Sequence, residues 1–310
     1  MSTPSKLPAS LRALLAESID YAGLFPPANL TLWPAIENHG SYLRSPEAWM
    51  LRTFVLPVGK FQEAATMLTP FNVEHRLRIS ALCPVTESSS EFLGTLGSAA
   101  NAIGEFNEQH GAFAGVAQIE MALPTRPGAT VAETCELLAG LDIPTFWEAP
   151  PDEAERTIAM IGQHRSESPG STFGFKVRTG GVVASAFPSG VQLARALAAA
   201  VQQRVPIKFT AGLHHPLRKF YQVVHTKMHG FLNVFGAGVL AAEHGWDFLQ
   251  VAKMLDDEQA DSFVFDDEFF SWGEWKVPTA RIVEHREVVS SFGSCSFDEP
   301  REDLRALNFF

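Results

Sequence analysis

Residues 172–212 read TFGFKVRTGGVVASAFPSGVQLARALAAAVQQRVPIKFTAG, and the order of the parts in this stretch decides the fold. A short run of aromatic and β-branched residues, 172–178, ends in Thr-Gly-Gly. Residues 189–204 then place Val191, Leu193, Ala194, Leu197, Ala198 and Val201 on one stripe, the pattern of a helix laid on a sheet. Residues 205–210 form a second short apolar run that ends in Ala-Gly. This is one β/α/β unit, in which two parallel strands are joined by a covering helix.

The same alternation extends in both directions. Strands are expected at 19–25, 51–58, 77–83, 113–123, 143–148, 172–178, 205–210 and 231–235, with helices at 90–109, 130–141, 153–164, 189–204 and 246–255. Eight such units in one domain imply a closed (β/α)8 TIM barrel, an α/β fold that buries both faces of a parallel sheet. An open, doubly wound sheet is the competitor, and it favours a glycine-rich phosphate turn after its first strand. Here that position holds DYAGLFPPA (20–28), with two prolines instead. The expected organisation is a barrel over 1–258 and an aromatic-rich C-terminal extension over 259–310 packed on it. Phe263, Phe265, Phe269, Phe270, Trp272 and Trp275 of this extension read first as packing against the barrel wall. Their second reading is an interface for a possible homo-oligomer.

Composition narrows the partners. The chain of 310 residues has 35 acidic and 24 basic side chains, a net charge of −11, and no local basic patch, so a nucleic acid is not expected as a partner. No apolar run reaches the length of a membrane span, and MSTPSKLPASLRALLAES lacks the apolar stretch of a signal peptide, so a cytoplasmic address is expected. Cys83, Cys135 and Cys295 show neither disulfide-framework nor zinc-ligand spacing.

Charged residues inside expected barrel strands need an explanation, because an unpaired buried charge costs several kcal/mol. Glu120 in AQIEMALP, Glu148 in TFWEAPP, Lys176 in FGFKVRTGG and Lys208 in PIKFTAG each stand near the carboxyl end of a strand. They are roughly 30 residues apart, the length of one unit. They therefore sit at a similar height on four consecutive strands, at the end of a barrel where such enzymes do chemistry. Side chains alternate across a strand, so Gln118 shares a face with Glu120, Arg178 with Lys176, and Thr210 with Lys208. One reading is a salt-bridge network that only neutralises itself. The other is functional: a lysine with an ordinary pKa near about 10.4 is protonated at neutral pH, and a second cation beside it favours the neutral, nucleophilic amine. That amine could form an imine with a carbonyl compound, with a carboxylate moving the protons.

These residues resemble a known family. FKVRTGG (175–181) resembles the Schiff-base strand of the deoxyribose-phosphate aldolase group of class I aldolases, and IKFTAG (207–212) resembles that group's next strand, with its second lysine. IEMAL carries Glu120 where the group has a catalytic aspartate, and FWEAP and VFGAGVLA fall where it has its fifth and eighth strands. The likeness covers about 114–244 and implies that Lys176 forms the imine, Lys208 lowers its pKa and Glu120 is the acid/base. Three positions depart from the pattern. Arg178 replaces a small hydroxyl residue, Glu120 is one methylene longer than aspartate, and Gly236-Ala237-Gly238 lacks the serines that help hold phosphate. The expected substrate is thus a small polar or acidic carbonyl compound, with no cofactor.

Further candidates surround this centre. Arg178, Thr179, Gly180, Gly181, Thr210, Gly212, Glu148, Asn233 and Gly236 are expected to bind substrate, with Arg178 able to grip a carboxylate. Asp20 and Tyr21 are weaker pocket-lining candidates. His214 of GLHHPLR is placed at the rim as a proton relay. The alternative to an imine-forming lyase is a metal-dependent isomerase or hydrolase that uses Glu120, Glu148 and His214 as ligands. A third reading is a non-catalytic barrel with a binding role. His225 and His229, four apart, read as structural.

Overall fold

The alternation of side chains along each strand sends mostly small or polar residues to one side and mostly large apolar ones to the other, with Phe146 an exception, and this sorts the sheet into an interior and an exterior. The computed structural model describes residues 7–124, 131–138 and 141–310. Seven strands follow the expected order: β1 (Ile19–Tyr21), β2 (Leu51–Pro57), β3 (Leu77–Leu82), β4 (Ala114–Ala122), β5 (Thr145–Glu148), β6 (Phe173–Arg178) and β7 (Ile207–Thr210). Two short antiparallel units come next: a hairpin of β8 (Lys219–Tyr221) and β9 (Thr226–Met228), and a three-stranded sheet of β10 (Phe263–Phe265), β11 (Phe269–Trp272) and β12 (Trp275–Pro278). The last strand, β13 (Val289–Ser294), lies between β7 and β1 and closes an eight-stranded parallel barrel. The fold is a TIM barrel.

The eighth strand is therefore not at 231–235. Phe231–His244 is a helix, capped at Gly230 and ended by Gly245 in the left-handed conformation (φ 66°). Its residues are buried on every side from Phe231 to Ala241, so it lacks the polar stripe that marks a surface helix. A short apolar run of this kind is the pattern that periodicity cannot assign. The true eighth strand, VSSFGS, hides for the opposite reason: it is rich in serine, although all six residues are buried. The boundary expected at 258 accordingly falls inside the barrel, and 259–310 supplies one of its strands.

Of the aromatics of the antiparallel sheet, Phe263 and Phe270 belong to the core and Phe265, Trp272 and Trp275 are partly buried against it. Trp246 meets Trp272 and Trp275 edge to face at 5.9 and 5.3 Å. Helices cover the outer face of the barrel. Gly190–Gln203 begins with a capping box in which Ser189 and Gln192 exchange side-chain to backbone hydrogen bonds, and it buries Leu193, Ala194, Leu197 and Ala198, as its stripe requires. These residues share one apolar core with Phe175, Val177, Ile207, Phe209 and Phe292 of the strands. Among the described residues, no helix is long and apolar enough to cross a membrane.

Candidate functional site

Parallel pairing fixes the height of each interior side chain. Glu120 is opposite Phe146, Glu148 opposite Lys176, Lys176 opposite Lys208, and Arg178 opposite Thr210. Glycine at 174 leaves room for the Phe146 ring in the interior, since a Cβ there would lie 2.8 Å from the ring. Lys208 Nζ stands 5.6 Å from the centre of that ring.

Six charged side chains form a ladder that alternates in sign from the mouth inward. Arg178 Nε donates to Glu148 Oε1 (3.1 Å), and Lys176 Nζ donates to Glu148 Oε2 (2.8 Å) and to Glu120 Oε2 (2.8 Å). Lys208 Nζ donates to Glu120 Oε1 and, at 2.9 Å, to Asp20 Oδ2. Side-chain exposure falls along the ladder, from 50% at Arg178 through 17% at Glu148 and 4% at Lys176 to 3% at Glu120, 1% at Lys208 and 0% at Asp20. Three cations balance three carboxylates.

Neutral donors satisfy further lone pairs of Glu120 and Asp20, as such a buried network needs, while Gln118 Oε1 has no partner among the described residues. Ser80 Oγ donates to Glu120, Thr53 Oγ1 and Ser291 Oγ donate to Asp20, and Gln118 Nε2 donates to Asp20 (3.1 Å) and to Ser80 (2.9 Å). Thr53, Ser80 and Ser291 were not singled out by sequence reasoning, although period two puts Ser80 on the inward face of its strand. Asp20, expected as a weaker pocket-lining residue, instead anchors the inner end of the ladder.

The charges set each other's proton affinity. Burial alone would raise the Glu120 pKa, but Lys176 and Lys208 outweigh it and hold the carboxyl well below the usual range. Asp20 is lowered in the same way: burial opposes, and Lys208 prevails with help from Arg52. Glu148 is lowered by Lys176 and Arg178 against the cost of burial. For Lys176 burial favours the neutral amine, yet Glu120 and Glu148 overcome it and raise its pKa above the ordinary lysine value. The expectation that two adjacent amines drive one of them neutral is thus corrected, because Glu120 stands between them. Cys83, at the end of β3, is no thiolate: burial and the Glu120 charge push its pKa up to about 12.

The rim differs from expectation at several places. His214 Nδ1 faces Glu299 (3.2 Å) and Cys295 Sγ (3.9 Å), and not a member of the ladder. Burial disfavours its charged form, but Cys295 and Glu299 raise its pKa to about 9. Its Nδ1 is thus engaged at Glu299 and Cys295, apart from the ladder. Thr179 is fully buried, and its hydroxyl donates to the backbone carbonyls of Thr210 and Ala211. Gly180 and Gly212 press against each other under Phe187: a Cβ on Gly180 would lie 2.8 Å from Gly212 Cα and 2.5 Å from the Phe187 ring. Gly181 likewise has Ala186 close by, at 2.8 Å from such a Cβ.

Asn233 and Gly236 do not line the mouth, because they lie on the Phe231–His244 helix and not on a strand. Asn233 is fully buried, accepts from Arg218 N and donates to the carbonyls of Met254 and Asp257. Gly236 makes room for Met254 and Phe270. His229 is structural, as expected, held by Pro188 O and Arg218, and His225 sits in the β8–β9 hairpin turn with φ 50°. The side chain of Cys135 lies outside the described residues. Among the described residues, no three His, Cys, Asp or Glu side chains are grouped as a metal ion requires, and Glu120 and Glu148 are engaged by lysines.

No family model matches the chain, and no curated protein matches it. The solved structure of a monomeric dihydrodipicolinate synthase variant is similar with a TM-score of 0.35 and 12% identity, over 65% of this chain. The chain spans 64% of that structure's length. A likeness at that level says nothing about chemistry, so the resemblance to the deoxyribose-phosphate aldolase group rests on the residues alone.

Proposed function

We propose that the chain is a lyase of the class I aldolase type, in which Lys176 forms an imine with a small carbonyl substrate at the carboxyl end of the barrel. The observation that carries this reading is one carboxylate, Glu120, shared by lysines at the same height on adjacent strands. A purely structural network could use any pairing of charges. This one grades from a sealed inner pair, Lys208 with Asp20, to an outer pair, Lys176 with Glu148, that reaches the mouth. The arrangement supports Lys208 as a fixed positive charge and Lys176 as the residue that meets substrate.

In the resting state Lys176 is an ammonium ion, so the first step is loss of a proton to Glu148 along the existing hydrogen bond. The free amine adds to the carbonyl carbon and gives a carbinolamine. Its hydroxyl takes the proton from Glu148 and leaves as water, so that ammonium plus carbonyl becomes protonated imine plus water. The iminium then accepts the electron pair of the Cα–Cβ bond and becomes an enamine, while Glu120 takes the proton from the hydroxyl of the departing fragment, which leaves as an aldehyde. Glu120 returns that proton to the enamine carbon, and water hydrolyses the resulting iminium to release the carbonyl product and Lys176. Run backwards, the same steps make the bond.

Borohydride trapping tests this. With a panel of aldehydes, ketones and oxo acids, peptide mass spectrometry is expected to find a reduced adduct on Lys176, and none in Lys176→Met. Absence of any label, or a label on Lys208 instead, would overturn the assignment.

A further inference from the structure

Arg178 is the outermost rung of the ladder, and its hydrogen-bonding capacity is only partly used. Its Nε is tied to Glu148 Oε1, while among the described residues its two Nη groups hold no partner. The guanidinium is half exposed and stands on the same face of β6 as Lys176, two residues further toward the mouth. Glu148 is divided between them, one oxygen on each cation. Both cations touch one carboxylate, so a molecule that reaches both needs only a short spacer between its own anionic group and its carbonyl.

The charge count makes this geometry consequential. With all six groups ionised the ladder is neutral, and Lys176 is held protonated by two carboxylates. An anion on the free Nη edge adds a negative charge beside Glu148 and competes for the guanidinium that stabilises it. Glu148 then binds a proton more readily, and the nearest donor is Lys176. The free edge of a guanidinium is a planar fork that matches a carboxylate in two parallel hydrogen bonds. A phosphate cradle of backbone amides is disfavoured here, since the glycine turns at 180 and 212 are packed on each other beneath Phe187.

We propose that Arg178 selects short oxo acids, and that the arriving carboxylate itself releases Lys176 by moving one proton from Lys176 to Glu148. This rests on the imine reading above. A neutral carbonyl compound meets a locked ammonium, whereas an oxo acid unlocks it. Arg178 is in this sense both a specificity-determining and a positioning residue.

The test compares borohydride labelling rates of Lys176 with pyruvate, with acetone, which replaces the carboxylate by a methyl group, and with dihydroxyacetone phosphate. Because pyruvate is intrinsically more reactive, the readout is the pyruvate-to-acetone rate ratio in the wild type against the same ratio in Arg178→Met and Arg178→Lys. The ratio is expected to fall by at least about tenfold in Arg178→Met, which loses both charge-assisted hydrogen bonds, with Arg178→Lys between the two. Propionate, which has no carbonyl, is expected to slow labelling by pyruvate more strongly in the wild type than in Arg178→Met. An unchanged ratio would overturn the proposal and leave the imine reading standing. Faster, Arg178-dependent labelling by the phosphorylated ketone would overturn the choice of a carboxylate. If no carbonyl compound labels Lys176, both readings fall.

Discussion

Lys208 and Arg178 carry the same charge at opposite ends of one ladder, and their surroundings give them opposite energetic weight. Removing Lys208 strips Asp20 of its salt-bridge partner in the buried layer and leaves Glu120 with Lys176 alone. Lys208→Met is therefore expected to lower the unfolding free energy by about 3–5 kcal/mol, and Arg178→Met, at a half-exposed site, by less than about 1 kcal/mol. Urea titration of both variants checks the order. Adding Asp20→Asn to Lys208→Met removes the carboxylate left without its lysine and is expected to recover part of the loss, a coupling that a double-mutant cycle measures. The pH dependence follows from the same residues. Asp20, Glu120 and Glu148 have lowered folded pKa values, so their stabilisation is present above the ordinary carboxylate range and is lost as acid protonates them. His214 acts on the alkaline side. Its folded pKa is raised to about 9, so its contribution is complete below about 6.5 and disappears as pH rises through about 9. Stability is expected to decline by an amount on the order of 3 kcal/mol across that window, and His214→Gln to flatten the slope.

Two helices show how packing decides what a glycine is for. Gly238, on Phe231–His244, faces β13: a Cβ there would lie 2.3 Å from Val289 Cγ2. Gly104, on the helix Ser89–His110, meets nothing within 4 Å. Gly104→Ala is expected to stabilise by up to about 1 kcal/mol through helix propensity, whereas overpacking against β13 is expected to make Gly238→Ala destabilising by about 1–2 kcal/mol. Thermal unfolding of the pair separates the two effects. The same helix explains what could be read in advance. The seven strands that begin the barrel, and the stripe on Gly190–Gln203, are local patterns of period two and 3.6, and they are legible in any order. Phe231–His244 and β13 are not, because each takes its character from its neighbours: one is a helix without a polar face, the other a strand of serines. The candidate site divides in the same way. Glu120, Glu148, Lys176 and Lys208 were visible as charges in apolar runs, but that Glu120 lies between the two lysines depends on side-chain reach, which strand spacing does not specify.

Across the whole molecule, the barrel turns a linear order into a ring. Glu120, Glu148, Lys176 and Lys208 come from four consecutive strands, while Asp20 and Ser291 come from the first and last barrel strands in sequence and complete the polar layer only because β1 pairs with β13. That seam places Ile19 beside Phe292, so its formation requires nearly the whole chain to have closed into one loop. Loop closure over such a separation is entropically the least favourable contact in the fold, and long-range pairings of this kind slow folding. The seam is therefore the natural last event of refolding and the first to open. A substitution at the seam, such as Phe292→Leu, is expected to accelerate unfolding in stopped-flow experiments and to leave the refolding rate almost unchanged, so that this protein's lifetime against denaturation is set where its first and last barrel strands meet.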